Sequence, residues 1–346
     1  MIELQELETE ETNTEISLKK RALSDLIYKY VTAVLGSGAI LIIFVILGVL
    51  LTAAYPSVIV NSLQFFTTIK WDPHLSGAVV LVNGIKTLQG ASYGFLVFFV
   101  GTLVSSTIAI LLGVPAGLGI AILVSQFLPK RLSAPVSFLV ELLAGIPSVV
   151  FGFWGFLVLA PFLLYQVEPF LSSHLSFIPF LSGTVYSSGL LTAGIILALM
   201  IVPIIASISR DAMVQTPLEL MEGARALGLT DWEITRKIVL PHSRTTIFGS
   251  TVLGLGRALG ETMAVAMVAG GAINILPKTL FYPLNTMSAF MAVQLDSAFT
   301  DPSGMFVSAL MELALVLAII TIIVNVLARL IIRQGFFSAS ESLVRV

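Results

Sequence analysis

An arginine and a glutamate stand four residues apart in an apolar stretch of this 346-residue chain. Arg257 and Glu261 lie among glycines and aliphatic residues between positions 254 and 264. A charged side chain at the centre of a bilayer costs about 2.5 to 3.5 kcal/mol on insertion scales, so both must be paired, hydrated or functional. At this spacing they are expected to share one helix face. Two interpretations are open: an intramembrane salt bridge, or a pathway in which the guanidinium fork of Arg257 binds an oxyanion.

Glu141, Pro147 and Ser148 form a second candidate site in another apolar stretch. Pro147 lacks an amide hydrogen and is expected to interrupt a helix there. A helix that restarts near Ser148 would direct free amides and its positive dipole end toward an anion. Ser148 would equally serve to cap or satisfy the freed backbone, and both interpretations are kept. Glu312, also within an apolar stretch, is interpreted as structural, paired across helices or with Arg257.

The polar segment at about 210–245 has the spacing of a helical hairpin. Residues 216–219 and 230–233 both match the capping box, in which a threonine caps free amides and a glutamate three residues later reaches back. Two short helices are expected, with Gly228 turning between them in a left-handed conformation and Pro241 stopping the second. Acidic side chains nearly balance the five basic ones, so no nucleic acid partner is expected. Such a hairpin would form a rigid projection to which a cytoplasmic protein binds.

Membrane helices must position these residues, because the chain is 57% hydrophobic and only 11% charged, with a mean hydropathy of +1.00. Soluble domains carry about 25% charged residues, and a helix needs about 20 apolar residues to cross a bilayer. Six stretches of that length occur, at about 31–55, 94–127, 134–165, 188–209, 246–270 and 305–328. The second and third are expected to be interrupted, at Gly113 and Pro115 and at Gly145 and Pro147. The predicted fold is an all-α integral membrane protein with six transmembrane helices.

Basic residues predict the orientation of the six helices. Of the 18 lysines and arginines, 14 precede the first stretch, follow the sixth, or lie in the second and fourth loops. Both termini are therefore expected to be cytoplasmic. On this view residues 1–29 form an acidic cytoplasmic tail, 30–335 the membrane domain and 336–346 a second tail. Three loops, at about 56–93, 166–187 and 271–304, would face outward and offer a docking surface for a soluble partner.

Several kinds of site are excluded by composition. The chain has no cysteine, and its three histidines are too far apart to form a spaced metal-ligand motif. Its glycine-rich stretches lack the spacing of a nucleotide-binding loop. The chain is therefore expected to bind no metal or cofactor and to be no enzyme, with any energy supplied by another subunit.

Seven residues of the hairpin resemble the EAA signature of ABC importer permeases, which reads E-A-A, three residues, G, nine residues, I-x-L-P. They are Glu222, Gly223, Ala224, Gly228, Ile238, Leu240 and Pro241. The spacing matches throughout, and Gly223 in place of alanine is the one departure. The resemblance implies that this hairpin is the coupling helix that sits in a groove of an ATPase subunit, where small residues at 223 and 224 permit close approach.

Over about residues 26–335 the chain is similar to PstC-type permease subunits of phosphate-specific importers. The most specific similar segment is 254–264, and others occur at 101–103, 114–115, 141–148, 210–211 and 311–313. The resemblance implies the type I ABC importer fold in the plasma membrane of a prokaryote. It also implies three protein partners: a PstA-like second permease, a PstB-like ATPase dimer that uses ATP, and an extracytoplasmic PstS-like phosphate-binding protein.

The substrate implied by the resemblance is inorganic phosphate. Phosphate near neutral pH keeps a P–OH donor that Glu261 would accept, whereas fully ionised sulfate has none and would be repelled. Two alternatives stay open. One is an ABC permease for another oxyanion such as molybdate or sulfate, and the other is a secondary transporter or channel that works without an ATPase.

Overall fold

The structure, a computed structural model, describes the backbone of residues 2–343 and the side chains of residues 25–331. The predicted tails at 1–29 and 336–346 therefore lie largely outside the described side chains. In chain order the α-helices are α1 (Ile2–Asn61), α2 (Gln64–Thr67), α3 (Leu96–Ile122), α4 (Lys130–Ala144), α5 (Ser148–Trp154), α6 (Ala160–Phe162), α7 (Glu168–His174), α8 (Leu190–Val214), α9 (Leu218–Ala226), α10 (Asp231–Ile234), α11 (Leu240–Gly260), α12 (Met263–Val268), α13 (Met287–Ala298) and α14 (Met305–Leu343).

Short π-helical segments join several of these helices into longer rods. They are Leu123–Phe127 after α3, Gly155–Leu159 and Leu163–Val167 on either side of α6, and Thr235–Val239 between α10 and α11. A 3₁₀ turn, Pro179–Leu181, follows α7. Because the segments carry the helical rod onward, α5 to α7 form one helix of membrane length and α10 to α11 another continuous helix.

Within the described residues, five helices are long and apolar enough to cross a membrane. They are Asp25–Asn61, Leu96–Phe127, Ser148–His174, Leu190–Val214 and Met305–Ile331. The predicted fifth span, 246–270, is occupied instead by the end of α11 and by α12, which are separated by a break. The chain divides into two compact units, residues 1–53 and 54–346.

The core of the second unit is built on close contact between α3 and α8. A Cβ at Gly113 would lie 2.7 Å from Cγ1 of Ile201, and one at Gly117 would lie 3.0 Å from Cβ of Ile205. Only glycine permits this approach, so Gly113 serves packing. The predicted interruption of α3 is wrong, since the helix continues through Pro115 where it packs along α8.

The predicted third span, 134–165, is two separate helices. α4 ends before Gly145, and α5 begins at Ser148, directly after Pro147. The interruption at Gly145 and Pro147 is therefore confirmed. The predicted boundaries are wrong, because the membrane-length helix starts only at the break and continues to residue 174. The side chains of α4 are largely apolar, so α4 and α5 form one continuous apolar stretch in the sequence.

Four short strands depart from the all-α prediction. They are β1 (Trp71–Asp72), β2 (Val79–Val82), β3 (Ile85–Leu88) and β4 (Ser92–Tyr93), with β1 antiparallel to β4 and β2 antiparallel to β3. Beneath them lies an aromatic cluster, which we define as Trp71, Tyr93, Phe98, Phe290 and Phe306. Trp71 contacts Tyr93, Phe98 and Phe290 edge-on, and Phe98 and Phe290 stack with their centroids 4.0 Å apart. Phe306 lies tilted against Trp71 and Tyr93. The cluster joins the loop after α1 to α3, α13 and α14.

Candidate functional site

The helix that carries Arg257 ends before it reaches Glu261. Gly260 is the last residue of α11, and Glu261 is extended, with φ −66° and ψ 127°. The prediction that the two side chains share one helix face is therefore wrong. Side chains replace the helical hydrogen-bond ladder at this break: the hydroxyl of Ser288 donates to the backbone oxygen of Glu261 at 2.7 Å, and that of Thr262 donates to the oxygen of Gly260 at 3.1 Å.

Arg257 has no ion pair within the part of the chain that the structure describes. Its side chain is partly buried, and its Nε is buried without a hydrogen-bond partner. Glu261 instead accepts a long hydrogen bond, 3.5 Å, from the amide of Ala264 at the start of α12. Glu312 is 2% exposed and accepts from the hydroxyl of Ser57 at 2.5 Å, so it makes a cross-helix contact rather than a pair with Arg257. The intramembrane salt-bridge interpretation thus finds no support among the described residues.

Packing between α5 and α12 determines the relative levels of the two helix breaks, which lie at Pro147 and at Glu261. A Cβ at Gly152 would meet Cα of Ala264 at 2.8 Å, and one at Gly155 would meet Cγ1 of Val268 at 3.1 Å. The contacts advance in the same direction along both helices, so the helices run parallel. Ser148 precedes Gly152 by four residues and Glu261 precedes Ala264 by three, which at about 1.5 Å per residue puts both breaks at a similar level.

Ser148 is the first residue of α5 and not its cap. Pro147 occupies the N-cap position, with φ −58° and ψ 139°, and no side chain caps this end of the helix. The capping interpretation of Ser148 is therefore not supported. The uncapped start of α5 therefore lies at a similar level to Glu261, the extended residue that follows α11.

Glu141 lies in a different environment from the other predicted pathway residues. Its Oε1 accepts from Nη2 of Arg210 at 3.0 Å, and the same guanidinium binds Oδ1 of Asp211 through Nη2 at 2.6 Å and Nε at 3.0 Å. The side chain of Arg210 is 18% exposed and that of Glu141 53%. The cluster ties α4 to the end of α8, just before the polar hairpin. Sequence reasoning missed this pairing, because 69 residues separate the partners and only the tertiary structure brings them together.

The turn of the hairpin agrees with the prediction. Gly228 has φ +84°. The amide of Leu229 donates to the oxygen of Ala224 at 3.2 Å and the amide of Gly228 to that of Arg225 at 2.9 Å, which is the Schellman arrangement that ends α9. A φ in this range suits glycine, because in other residues it brings the Cβ atom too close to the following carbonyl oxygen.

The second capping box is confirmed. The amide of Glu233 donates to the Thr230 hydroxyl at 3.3 Å, and the amide of Thr230 donates to Oε2 of Glu233 at 3.0 Å. Oε1 of Glu233 also pairs with Nζ of Lys237 at 3.2 Å. The hydrogen bond from the Thr230 backbone, then the contacts with Lys237 and with the Thr230 hydroxyl, lower the pKa of Glu233 to about 2. The cap therefore stays charged over the whole physiological pH range.

Two predictions for the hairpin are wrong. Thr216 does not cap α9: Pro217 occupies the N-cap position, and the Thr216 hydroxyl is buried without a partner among the described residues. Pro241 does not stop the second helix, which runs from residue 231 to 260. The wider π-helical turn at 235–239, where the amide of Leu240 donates to the oxygen of Thr235, accommodates the proline ring and its missing amide.

The residues of the predicted EAA signature separate into two groups. Ala224, Ile238 and Leu240 belong to an apolar cluster that also contains Ala121 and Met213, so they attach the hairpin to the ends of α3 and α8. Glu222, Gly223, Gly228 and Pro241 are exposed, and space is open around the position of a Cβ on Gly223 and on Gly228. One group therefore holds the hairpin in place, and the other faces away from the chain.

Residues 109–334 match the family described as "Binding-protein-dependent transport system inner membrane component". The match covers the hairpin, both helix breaks and Arg257. This chain belongs to that permease family. Two similar relatives are "Phosphate transport system permease protein PstC 1" of Mycobacterium tuberculosis, 42% identical over 79% of this chain and 82% of its own, and PstC of Mesorhizobium japonicum, 38% identical over 92% and 93%. With these relatives, the chain belongs to the PstC group of the family.

Solved structures resemble the permease more distantly. An inward-facing form of the MetNI methionine ABC transporter aligns with TM-score 0.48 at 18% identity, over 69% of this chain and 95% of the other. A bacterial ABC transporter involved in alginate import aligns with TM-score 0.46 at 20% identity, over 66% and 77%.

Proposed function

We propose that this permease is a transmembrane subunit of an ATP-driven importer of inorganic phosphate. One observation carries the proposal: a partly buried guanidinium at Arg257, three residues before the end of α11, whose Nε has no hydrogen-bond partner among the described residues, in a chain whose relatives are named phosphate transport permeases. A buried donor without a protein partner is costly, and a tetrahedral oxyanion would satisfy it.

The two helix breaks define the proposed substrate pathway. Arg257 provides the bidentate fork, and the amides at the start of α5, near Pro147 and Ser148, provide donors at a similar level. Glu261 is free of ion pairs among the described residues, and its carboxylate would accept the P–OH of monohydrogen or dihydrogen phosphate. Sulfate would meet the same carboxylate without such a donor. Glu141 is proposed to act on the cytoplasmic side of this pathway, where it holds Arg210.

ATP hydrolysis is proposed to occur on a separate, PstB-like ATPase dimer that contacts the hairpin. The exposed residues Glu222, Gly223 and Pro241 would face the ATPase, and Gly228 would set the angle between α9 and α10. Ala224, Ile238 and Leu240 would transmit movement of the hairpin to α3 and α8, against which they pack. A PstA-like second permease would complete the pathway, and a PstS-like protein would deliver phosphate to the outer loops.

The proposed orientation puts both termini and the hairpin in the cytoplasm of a prokaryote, with α11 and α12 completing a sixth, broken crossing. Single cysteines at Ser172 and Ser303, in a chain without native cysteine, are expected to react with an impermeant thiol reagent added to sealed cells. A cysteine at Arg236, on the hairpin, is expected to stay unlabelled. Labelling of position 236 from outside would contradict the orientation.

The substrate is tested by purifying the permease with its partners and measuring ATPase stimulation and uptake in vesicles with phosphate, sulfate or molybdate. Phosphate is expected to stimulate most. Arg257→Lys keeps the charge and loses the fork, so phosphate uptake is expected to fall at least tenfold while the complex still assembles. Arg329→Lys, at an exposed arginine near the end of the last span, is the matched control and should transport normally. Preferential uptake of molybdate or sulfate would favour the other oxyanion permeases, and purification without any ATPase would favour a secondary transporter or channel.

A further inference from the structure

A β-hairpin between α1 and α3 has an outward face that is unusually apolar for a loop. β2 and β3 pair in the register Val79 with Leu88 and Leu81 with Lys86. Asn83 and Gly84 link the strands with φ of 52° and 79°, as in the type I′ turn that suits the twist of a two-residue hairpin. The register is therefore well defined, and alternate residues project from opposite faces.

Contacts of the inward face determine how close the hairpin lies to the membrane-spanning helices. Ile85, beside the turn, packs against the apolar core around the aromatic cluster, and Thr87 is buried. β3 also contacts α14, whose first residue, Met305, belongs to the same core. The tip of the hairpin therefore lies beside the beginning of a membrane span rather than far above it.

The outward face carries Val79, which is 47% exposed, Leu81, which is 69% exposed, and the exposed Lys86 directly opposite Leu81. Leu88, opposite Val79 on the same face, is only 2% exposed, so the open part of this face is the part nearest the turn. A strand with one face on the core and one in water normally presents polar side chains to the water. These strands have no acidic residue, and the nearby Asp72 is paired with Lys70 at 3.3 Å. Two aliphatic side chains beside a lysine that has no ion pair among the described residues resemble the pattern of a surface that contacts lipid, where aliphatic groups enter the acyl boundary and ammonium groups reach the phosphates.

We propose that this face of the hairpin rests on the extracytoplasmic leaflet, with Val79 and Leu81 at the acyl boundary and Lys86 on lipid phosphates. The proposal depends on the orientation given under the proposed function. Strands of four residues are about 13 Å long and about 4.8 Å apart. Their outward face is thus far smaller than the roughly 800 Å² that each partner contributes to a stable protein interface. The membrane spans already anchor the chain, so a surface of this size is sufficient for an additional contact with lipid.

The absence of native cysteine permits a direct test. Leu81→Cys, labelled with a small environment-sensitive fluorophore, is reconstituted as the full importer complex in vesicles of phosphatidylethanolamine and phosphatidylglycerol. The label is expected to be quenched at least threefold more strongly by nitroxide-bearing lipid than by aqueous iodide. Ser76→Cys, exposed in the loop before β2, is the control and should show the reverse preference. Lys86→Glu should reduce lipid quenching at position 81, and raising the salt concentration should do so in the parent complex.

Stronger quenching by iodide than by lipid at position 81 would overturn the proposal. So would protection from iodide that appears only when the extracytoplasmic phosphate-binding protein is added, since the face would then be a protein-docking surface. The quenching measurement needs no transport. A complex that fails to import phosphate but shows lipid contact at position 81 would therefore count against the proposed function alone.

Discussion

Gly228 and Gly223 allow the coupling role of the hairpin to be tested with two substitutions of identical size. Both glycines have open space where a Cβ would lie, so adding one methyl group creates no steric clash with the rest of the chain. The backbone conformations differ. Gly228 has φ +84° in the Schellman turn, whereas Gly223 lies inside the helix α9. Any difference between Gly228→Ala and Gly223→Ala therefore reports backbone conformation.

The expected effects have opposite signs. An L-residue with a Cβ in the left-handed region costs roughly 1 to 2 kcal/mol, so Gly228→Ala should favour the opened hairpin by about 5- to 30-fold. Alanine in a helix interior is favoured over glycine by roughly 0.5 to 1 kcal/mol, so Gly223→Ala should hold the hairpin slightly more firmly. Gly228→Asn is the conservative variant, since asparagine tolerates positive φ better than other residues with a Cβ.

The assay combines hydrogen exchange at the amides of residues 224–229 with phosphate uptake and ATPase activity stimulated by the binding protein. Gly228→Ala should speed exchange and lower both activities together, with Gly228→Asn intermediate and Gly223→Ala near the parent. Equal exchange rates in the two alanine variants would refute the conformational argument. Faster exchange in Gly228→Ala with unchanged uptake would instead refute the coupling role of the turn.

The remaining predictions concern the hairpin surface, its caps and the broken helix. Gly223→Leu should leave the thermal stability of the isolated permease unchanged but weaken copurification of the ATPase, and normal ATPase binding would show that position 223 lies outside the contact. Thr230→Val should lose about 1 kcal/mol of local stability with its cap, whereas Thr216→Val, which removes an unpartnered buried hydroxyl, should be neutral or stabilising in the same thermal melts. The Arg257→Gln/Glu261→Gln double variant should regain neither stability nor uptake relative to the single variants, and a marked recovery would restore the salt-bridge interpretation.

Local sequence patterns predicted the features whose causes are local. The Thr230 capping box and the left-handed Gly228 depend on hydrogen bonds between residues at most five positions apart, so the pattern of residue types was sufficient. The same holds for the break at Pro147, which lacks an amide hydrogen whatever packs around it. Thr216 shows where this reasoning ends, since an equally good pattern left its hydroxyl without a partner when Pro217 took the cap position.

The sequence alone determined that the chain is a membrane protein, that long apolar stretches run through it and that its hairpin has the EAA spacing. The tertiary structure decided how the candidate site is assembled. α3 continues through Pro115 because its glycines pack closely on α8, and α11 stops before Glu261 because Ser288, 27 residues later, satisfies the freed carbonyl. Arg210 meets Glu141 across 69 residues. Such contacts depend on which helices become neighbours, and the free energy that selects them comes from packing and hydrogen bonding between segments that no local pattern connects.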